Sequence, residues 1–108
     1  MDDCVFCKII KGEIPTDFVY QDDEIAVFSD VHPAAPTHLL FIPKNHIEEL
    51  SDLTDETLIK IKNKLLEKVK ELGLLDKGYR IVINGGPAKA VPHLHFHLMG
   101  PVGVEREV

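Results

Sequence analysis

The stretch His93-Leu94-His95-Phe96-His97-Leu98-Met99 carries the strongest signal in this chain. Three of the six histidines stand here at alternate positions, with apolar residues between and after them. Alternate side chains of a strand share one face, so the pattern predicts a strand from about His93 to Met99. Its imidazoles would lie in a row, and its apolar residues would face the core. Three adjacent imidazoles pack poorly in a core, and the row therefore indicates a chemical site on a sheet.

Two kinds of chemistry fit a row of imidazoles. Three histidines with one open position for water make a catalytic metal site. Alternatively, a neutral imidazole attacks phosphorus and then leaves the phosphorylated intermediate readily, as a covalent nucleophile must. The histidine row alone does not choose between these two readings.

The segments around the row predict the rest of a sheet. Apolar runs bounded by turn residues indicate strands, and Asp22-Asp23 supplies the turn of a hairpin. A run stopped by Pro43 is too short for a buried helix and suits a central strand. The predicted strands are 18–21, 25–29, 39–42, 79–84 and 93–99.

The helices are predicted from caps and periodicity. Thr54 can cap one long helix and Gly73 can end it. Apolar residues at helical spacing would form its buried stripe, namely Leu58, Ile61, Leu65, Val69 and Leu72. A short helix or turn is expected over Cys4–Ile10, and another short helix around Ile47–Leu50. The expected fold class is α+β, with about five antiparallel strands and helix packed on one face.

Size and charge narrow the functional classes. At 108 residues and 44% hydrophobic composition, we expect one domain over residues 1–108. A net charge of -6 without a basic run argues against nucleic acid as a partner. No apolar stretch is long enough to span a membrane and no signal peptide is recognisable, so a cytoplasmic location is expected. Cys4 and Cys7 are interpreted as reduced thiols and candidate metal ligands.

Three segments together resemble the histidine triad (HIT) family, and within it the Hint branch of nucleotide-binding proteins. They are Cys4-Val5-Phe6-Cys7-Lys8-Ile9-Ile10-Lys11-Gly12-Glu13-Ile14-Pro15, Pro36-Thr37-His38-Leu39-Leu40-Phe41-Ile42-Pro43-Lys44-Asn45-His46-Ile47 and the histidine row. The likeness covers the chain from Cys4 to about Gly100. It implies a HIT-like fold whose homodimer forms one continuous ten-stranded sheet. It also implies binding of purine nucleoside monophosphates and hydrolysis of purine nucleoside phosphoramidates.

The resemblance assigns catalytic roles to three histidines. His95 would attack the α-phosphorus and form a nucleotidyl-imidazole that water then hydrolyses. Only an unprotonated nitrogen can attack, so the Nδ1 proton of His95 should be held by a backbone carbonyl. His97 would bind a phosphate oxygen and assist the leaving group as a general acid, and His38 would complete the cluster behind this pair.

The resemblance also assigns the nucleotide site. Asp30 would accept hydrogen bonds from both ribose hydroxyls, which suits the two oxygens of a carboxylate. Phe28, Val31 and Ile14 would form apolar walls around the base. Asn84 would contact the phosphate region, and Lys89, which stands where the family usually has glutamine, could add positive charge there.

A structural zinc ion is the cofactor that the resemblance implies. Two thiolates at Cys-x-x-Cys spacing can share one tetrahedral ion but need two further ligands. In relatives that keep both cysteines, the other ligands match His46 and His93. The predicted set is therefore Cys4, Cys7, His46 and His93, and it would staple the N-terminal segment to the strand that carries His95.

Two alternative functions stay open beside phosphoramidate hydrolysis. The first is a non-catalytic nucleotide-binding module, favoured by the loop before His93, which departs from the family pattern at Lys89 and Ala90. The second is a dinucleoside polyphosphate hydrolase, which is another branch of the same family.

Overall fold

The computed structural model describes residues 3–104. Within them, the chain forms strands β1 (Phe18–Gln21), β2 (Ile25–Ser29), β3 (Thr37–Pro43), β4 (Arg80–Ile83) and β5 (Phe96–Gly100). Its helices are α1 (Val5–Ile10), α2 (Asp55–Glu71) and α3 (Leu74–Lys77), with 3₁₀ turns at Leu50–Asp52 and Gly86–Ala88. The strands make one antiparallel sheet in the order β1-β2-β3-β5-β4, which confirms the predicted α+β class.

The central strands bury both of their faces. One face of β2 and β3 contributes Val27, Leu39 and Phe41 to a core under α2. The other face contributes Phe28, Leu40 and neighbouring residues to a second core that includes α1. Residues of both strand faces are buried, which explains why β2 and β3 read as continuous apolar runs. The helices thus cover both faces of the sheet, whereas the sequence predicted helix on one face only.

Local signals set the ends of the helices. The Thr54 side chain accepts a hydrogen bond from the Thr57 N–H at 3.3 Å, as expected of an N-cap. Gly73 has a φ of 67°, a left-handed conformation that favours glycine and ends α2. At the N-terminus of α1, the Cys4 sulfur accepts from the Cys7 N–H. The predicted caps of the long helix are therefore confirmed.

Two residues of the predicted helical stripe are not buried. Ile61, Leu65 and Val69 are the buried residues of α2, but Leu58 and Leu72 are 37% and 40% exposed. Both lie at the ends of the helical segment, beyond the middle turns that supply the buried residues. The prediction for these two leucines was wrong because residue spacing does not show which turns of a helix pack against the core.

The short helix expected around Ile47–Leu50 is absent from the described chain. Glu49 is extended, and only a 3₁₀ turn follows it. The Ile47 carbonyl instead accepts a hydrogen bond from the Leu94 N–H at 2.6 Å. The Ile47 carbonyl is therefore used to pair with the histidine segment and is not available as the acceptor of a helical hydrogen bond.

The last strand begins at Phe96 and not at His93 as predicted. The His93 N–H bonds to the Val91 carbonyl at 2.8 Å, and the Leu94 N–H bonds to Ile47. These bonds take the backbone of residues 93–95 out of the sheet ladder. The three imidazoles consequently do not form one row, because the His93 ring enters a separate cluster with the two cysteines.

Candidate active site

A pocket of about 400 Å³ opens on the α1 side of the sheet. Its walls come from α1, from the end of β2 and the loop that follows, and from segments 14–16 and 90–91. Two members of the histidine row, His95 and His97, reach it. The sequence predicted both residues, and the fold brings them together with ring centroids 4.9 Å apart.

His95 is held by the backbone of its own segment. Its Nδ1 lies 2.7 Å from the His93 carbonyl oxygen, which can only accept, so Nδ1 carries the proton. In the neutral ring the other nitrogen, Nε2, then keeps its lone pair. The expected carbonyl partner of His95 is therefore present, and the residue is buried.

His97 contacts another side chain, whereas His95 contacts the backbone. Its Nδ1 lies 2.8 Å from Nε2 of His38, which is buried behind the pocket. Burial is the main cause that lowers the pKa of His97 below its usual value, and the nearby His95 and His38 lower it further. Asp30 opposes them and raises it. Burial and the two neighbouring histidines together favour the neutral form of His97.

Asp30 links the loop after β2 to the histidines. One of its carboxylate oxygens accepts from the His32 N–H at 2.9 Å. The other lies 3.4 Å from Nε2 of His38. Asp30 also lines the pocket, so it contacts His38 and the pocket space at once.

The predicted apolar walls are also at the pocket. Phe28, Val31 and Ile14 all line it, with Phe28 buried and Val31 exposed near its mouth. The sequence reading missed Phe6, which lines the pocket and packs edge-on against His95 at a centroid distance of 5.1 Å. The available signal was that Phe6 lies between Cys4 and Cys7 in the sequence. If both cysteines are held in place, the residue between them is held as well.

Lys89 and Asn84 do not line the pocket. The Lys89 ammonium bonds to the Glu48 carbonyl at 2.9 Å and pairs with the Glu49 carboxylate. Lys89 and the Gly86 N–H together lower the pKa of Glu49. The Lys89 ammonium thus binds Glu49 outside the pocket lining, and its contact with a phosphate stays a prediction. Asn84 follows the end of β4, half-buried.

A second cluster lies beside the pocket and not in it. Cys4, Cys7, His46 and His93 each offer one ligand atom, and these atoms all lie within 4.8 Å of one another. Nδ1 of His93 is 3.5 Å from the Cys4 sulfur and 3.6 Å from the Cys7 sulfur, and Nδ1 of His46 is 3.2 Å from the latter. These four residues, which the sequence grouped, form a set able to hold a metal ion.

The outer contacts of this cluster orient both imidazoles. His93 donates from Nε2 to the Pro43 carbonyl at 2.7 Å, and Nε2 of His46 lies 3.3 Å from the Glu48 carboxylate. Both rings thus turn Nδ1 toward the sulfurs, as second contacts do for metal-binding histidines. Burial lowers the pKa of His93 and raises that of Cys7. Phe6 joins the two sites, since it also packs edge-on against His93 at 5.9 Å.

Comparison with known proteins gives consistent matches over the whole fold. The family model described as "Scavenger mRNA decapping enzyme C-term binding" matches residues 3–106. Protein HitA of Neisseria gonorrhoeae is 46% identical over 105 residues, which cover 93% of this chain and 97% of that protein. A solved HIT family hydrolase from Clostridium thermocellum has a TM-score of 0.89 at 39% identity, covering 100% of this chain and 98% of that chain. A histidine triad nucleotide-binding protein from Candida albicans has a TM-score of 0.82 at 34% identity, covering 98% and 85%.

The fold and the pocket define a class of small α+β proteins with an imidazole pair beside an open cavity. With these matches, the chain belongs to the histidine triad (HIT) family of hydrolases and nucleotide-binding proteins. Within residues 3–104, no helix has the length and apolar character needed to cross a membrane.

Proposed function

We propose that this protein hydrolyses purine nucleoside phosphoramidates through a covalent intermediate on His95. Nε2 of His95 attacks the α-phosphorus, the phosphorus–nitrogen bond breaks, and the amine departs with a proton passed to it by His97. Water then attacks the same phosphorus and returns a proton to His97, which releases the nucleoside monophosphate and restores the imidazole of His95. The observation that carries this proposal is the 2.7 Å bond from Nδ1 of His95 to the His93 carbonyl, at the wall of a pocket.

His97 would interact with the phosphate and with the departing amine. Its ring borders the same pocket, and its centroid is 4.9 Å from that of the proposed nucleophile. Negative charge grows on the non-bridging oxygens and on the leaving nitrogen as the bond breaks. A positioned N–H donor there stabilises the transition state more than the ground state, which is the requirement for catalysis.

Asp30 and the apolar walls would bind the nucleoside. An ionised carboxylate has about four acceptor positions. The His32 N–H uses one and the His38 ring approaches another, which leaves room for a vicinal diol. The apolar side chains of Phe28, Ile14 and Val31 would pack against the base. Nucleoside monophosphates and their phosphoramidates share the nucleoside that this arrangement would bind.

The test separates binding from chemistry in one variant. His95→Gly should bind adenosine monophosphate with wild-type affinity but should lose turnover of an adenosine phosphoramidate by about 10³-fold or more. Added imidazole should restore part of that turnover by replacing the missing ring. Full turnover in His95→Gly would overturn the proposal.

The same assays address the two alternative functions. A wild-type protein that binds the monophosphate without hydrolysing the phosphoramidate would be a binding module. Faster hydrolysis of a diadenosine polyphosphate than of the phosphoramidate would assign the chain to the dinucleoside polyphosphate hydrolases. Neither outcome depends on the behaviour of the variant.

We also propose that the Cys4, Cys7, His46 and His93 cluster binds a structural zinc ion. In a tetrahedral site with Zn–S near 2.3 Å and Zn–N near 2.0 Å, sulfur and nitrogen ligands stand about 3.5 Å apart. The sulfur–nitrogen distances of 3.2 to 3.6 Å fit that separation. All four positions would be filled by protein ligands, so the ion would act on stability and leave the reaction to the pocket histidines.

A homodimer joined through β4 completes the proposal. In the sheet of residues 3–104, β4 pairs with β5 on one side and forms the outer edge on the other. Ile81 and Ile83 on this strand are 38% and 40% exposed, which is unusual for an edge without a partner. Pairing of two β4 strands would give a ten-stranded sheet. Light scattering should show a dimer, and Ile81→Lys with Ile83→Lys should shift it to monomer.

A further inference from the structure

The segment 85–91 follows β4 and forms part of the pocket wall, and we name it the pocket loop. It supplies Ala90 and Val91 to the lining. Its inner end is attached to the histidine segment, because the His93 N–H donates to the Val91 carbonyl at 2.8 Å. The Cys/His cluster consists of the four candidate metal ligands Cys4, Cys7, His46 and His93. The pocket loop thus begins its contacts at a member of this cluster.

The outer end of the pocket loop is attached through one carboxylate. Glu49 accepts from the Gly86 N–H at 3.1 Å and pairs with the Lys89 ammonium. The same ammonium donates to the Glu48 carbonyl at 2.9 Å. Only 10% of the Lys89 side chain is exposed, so this pair is not a solvated surface ion pair of negligible energy. These contacts form the Glu49 clasp.

Two glycines let the pocket loop approach the carboxylate. A Cβ on Gly85 would lie 3.3 Å from Oε1 of Glu49, closer than most side-chain contacts allow. Gly86 has a φ of 55°, a left-handed conformation that favours glycine. The backbone therefore turns around Glu49 in a way that larger residues would hinder.

The segment from His46 to Glu49 connects the clasp to the Cys/His cluster. Nδ1 of His46 lies 3.2 Å from the Cys7 sulfur. The next residue, Ile47, accepts the Leu94 N–H at 2.6 Å. Glu49 is extended, so the segment is short and offers no helix that could absorb a displacement. A shift of the His46 ring should therefore reach the clasp.

These contacts make a closed circuit. It runs from the Cys/His cluster through His46 to Glu49, then along the pocket loop to Val91, and through His93 back to the cluster. The part of the circuit opposite the cluster is a wall of the pocket. The separation of the two cluster histidines and the position of this wall should consequently change together.

We propose that loading the Cys/His cluster with a metal ion fixes the pocket loop through Glu49 and Lys89 and thereby raises the affinity of the pocket for a nucleotide. The inference rests on the proposed zinc site and nucleotide pocket. Metal–ligand bonds hold two histidines at a set separation, whereas thiols are only weak hydrogen-bonding groups. Glu49 and Lys89 are positioning residues in this scheme.

The expected effect is on affinity and not on kcat. The bond from Nδ1 of His95 to the His93 carbonyl lies within one short stretch of chain and does not pass through the clasp. Coupling between two binding sites is also reciprocal. A bound nucleotide should therefore raise the affinity of the cluster for the metal by the same factor.

The first experiment measures binding of adenosine monophosphate by calorimetry to zinc-loaded and to chelator-treated protein, with native folding verified by backbone amide spectra. We expect the wild-type protein to bind about fivefold more tightly when it holds zinc, at the lower end for coupled sites. Glu49→Gln and Lys89→Met should bind about fivefold more weakly than the zinc-loaded wild type, with equal affinity in both metal states.

Lys44→Met is the matched control. The Lys44 ammonium binds the Gln21 side chain at 2.9 Å, so the variant loses the same charge near His46 but leaves the clasp intact. It should keep the fivefold ratio of the wild type, within about a factor of two. A purely structural loss of stability would not remove this ratio in Lys89→Met and keep it in Lys44→Met.

The second experiment starts from the zinc-loaded protein and needs no stable metal-free form. Release of zinc to an excess of a chromogenic chelator is followed with and without saturating adenosine monophosphate. The nucleotide should slow release from the wild type and from Lys44→Met by about fivefold, and should leave release from Glu49→Gln unchanged.

The outcomes separate this inference from the proposed function. Equal nucleotide affinity of the zinc-loaded and zinc-free wild type, or an equal ratio in wild type and Glu49→Gln, would overturn the inference alone. A protein that binds no zinc would do the same. A zinc-loaded protein that does not bind adenosine monophosphate would overturn the proposed function together with the coupling.

Discussion

His93 and His95 stand two residues apart and are used in opposite ways. Each ring has one nitrogen bound to a backbone carbonyl at 2.7 Å, but His93 uses Nε2 and His95 uses Nδ1. His93 therefore turns Nδ1 to two buried thiols, and His95 keeps Nε2 for the pocket. The backbone acceptor that each ring meets decides which chemistry the same side chain can perform.

The surroundings of the two rings follow the same division. His93 is fully buried in a four-residue cluster whose ligand atoms all lie within 4.8 Å of one another. His95 borders a pocket large enough for a small ligand. We infer that one cluster serves stability and the other serves turnover. Variants on either side should separate these two properties.

The largest expected effect on stability comes from removing one residue of the Cys4, Cys7, His46 and His93 cluster. Cys7→Ser removes a thiolate ligand and should abolish tight zinc binding. With free zinc at a thousand times Kd, the loss of binding costs about 4 kcal/mol of stability. The measurements are metal content by mass spectrometry and the free energy of unfolding with and without a chelator.

His95→Gly supplies the matched control for that variant. It should keep zinc and stability while it loses turnover, and Cys7→Ser should do the reverse in its folded fraction. A wild-type protein purified without zinc, and insensitive to the chelator, would contradict the structural role of the cluster.

Phe6 offers a way to couple the two sites. It lies between the cysteines and packs against both His93 and His95. Phe6→Ala should cost about 3–5 kcal/mol, because it opens a cavity at a buried aromatic position. It should also lower kcat, since His95 loses a wall that fixes its ring.

Phe18→Ala is the control for this prediction. Phe18 packs on Phe28 at 6.2 Å and is half-buried. It should reduce stability while leaving kcat near the wild-type value. If both variants lower kcat equally, the effect reflects general loosening and the proposed coupling fails.

A smaller effect is expected where Lys89 binds Glu49. This pair and the bond from the Gly86 N–H fasten the loop before His93 to the segment that follows His46. Lys89→Met should raise KM by less than about tenfold by loosening Ala90 and Val91 at the pocket wall. Glu49→Gln should give a similar change if the ion pair is the cause, and kinetic assays of both variants test it.

The sequence predicted the fold further than it predicted the details of the site. Alternation and caps gave the five strands and the long helix, because these signals are local. The direction of the His93 ring and the start of β5 depend on contacts with Pro43 and Ile47, far along the chain. The pairing of Lys89 with Glu49 is equally non-local, so the sequence near Lys89 does not show which group its ammonium binds.

The smallest effect is a dependence of stability on pH through His97. Its pKa in the folded protein lies below the usual value of 6.5, mainly because burial disfavours the charged ring. The unfolded chain therefore binds this proton more readily. The stability contribution is complete above pH 6.5 and is lost as pH falls toward the folded pKa, with a slope of at most about 1.4 kcal/mol per pH unit.

Urea unfolding at several pH values between 5 and 8 measures this slope, and His97→Gln removes it. If Nε2 of His97 already carries a proton, a second proton must bind at Nδ1. There it would displace the hydrogen bond with Nε2 of His38. Acid should therefore weaken the contacts of the pocket histidines before it weakens the cluster that contains His93. A wild-type slope identical to that of His97→Gln would mean that His97 titrates normally, and that burial leaves this ring as free to take a proton as it is in the unfolded chain.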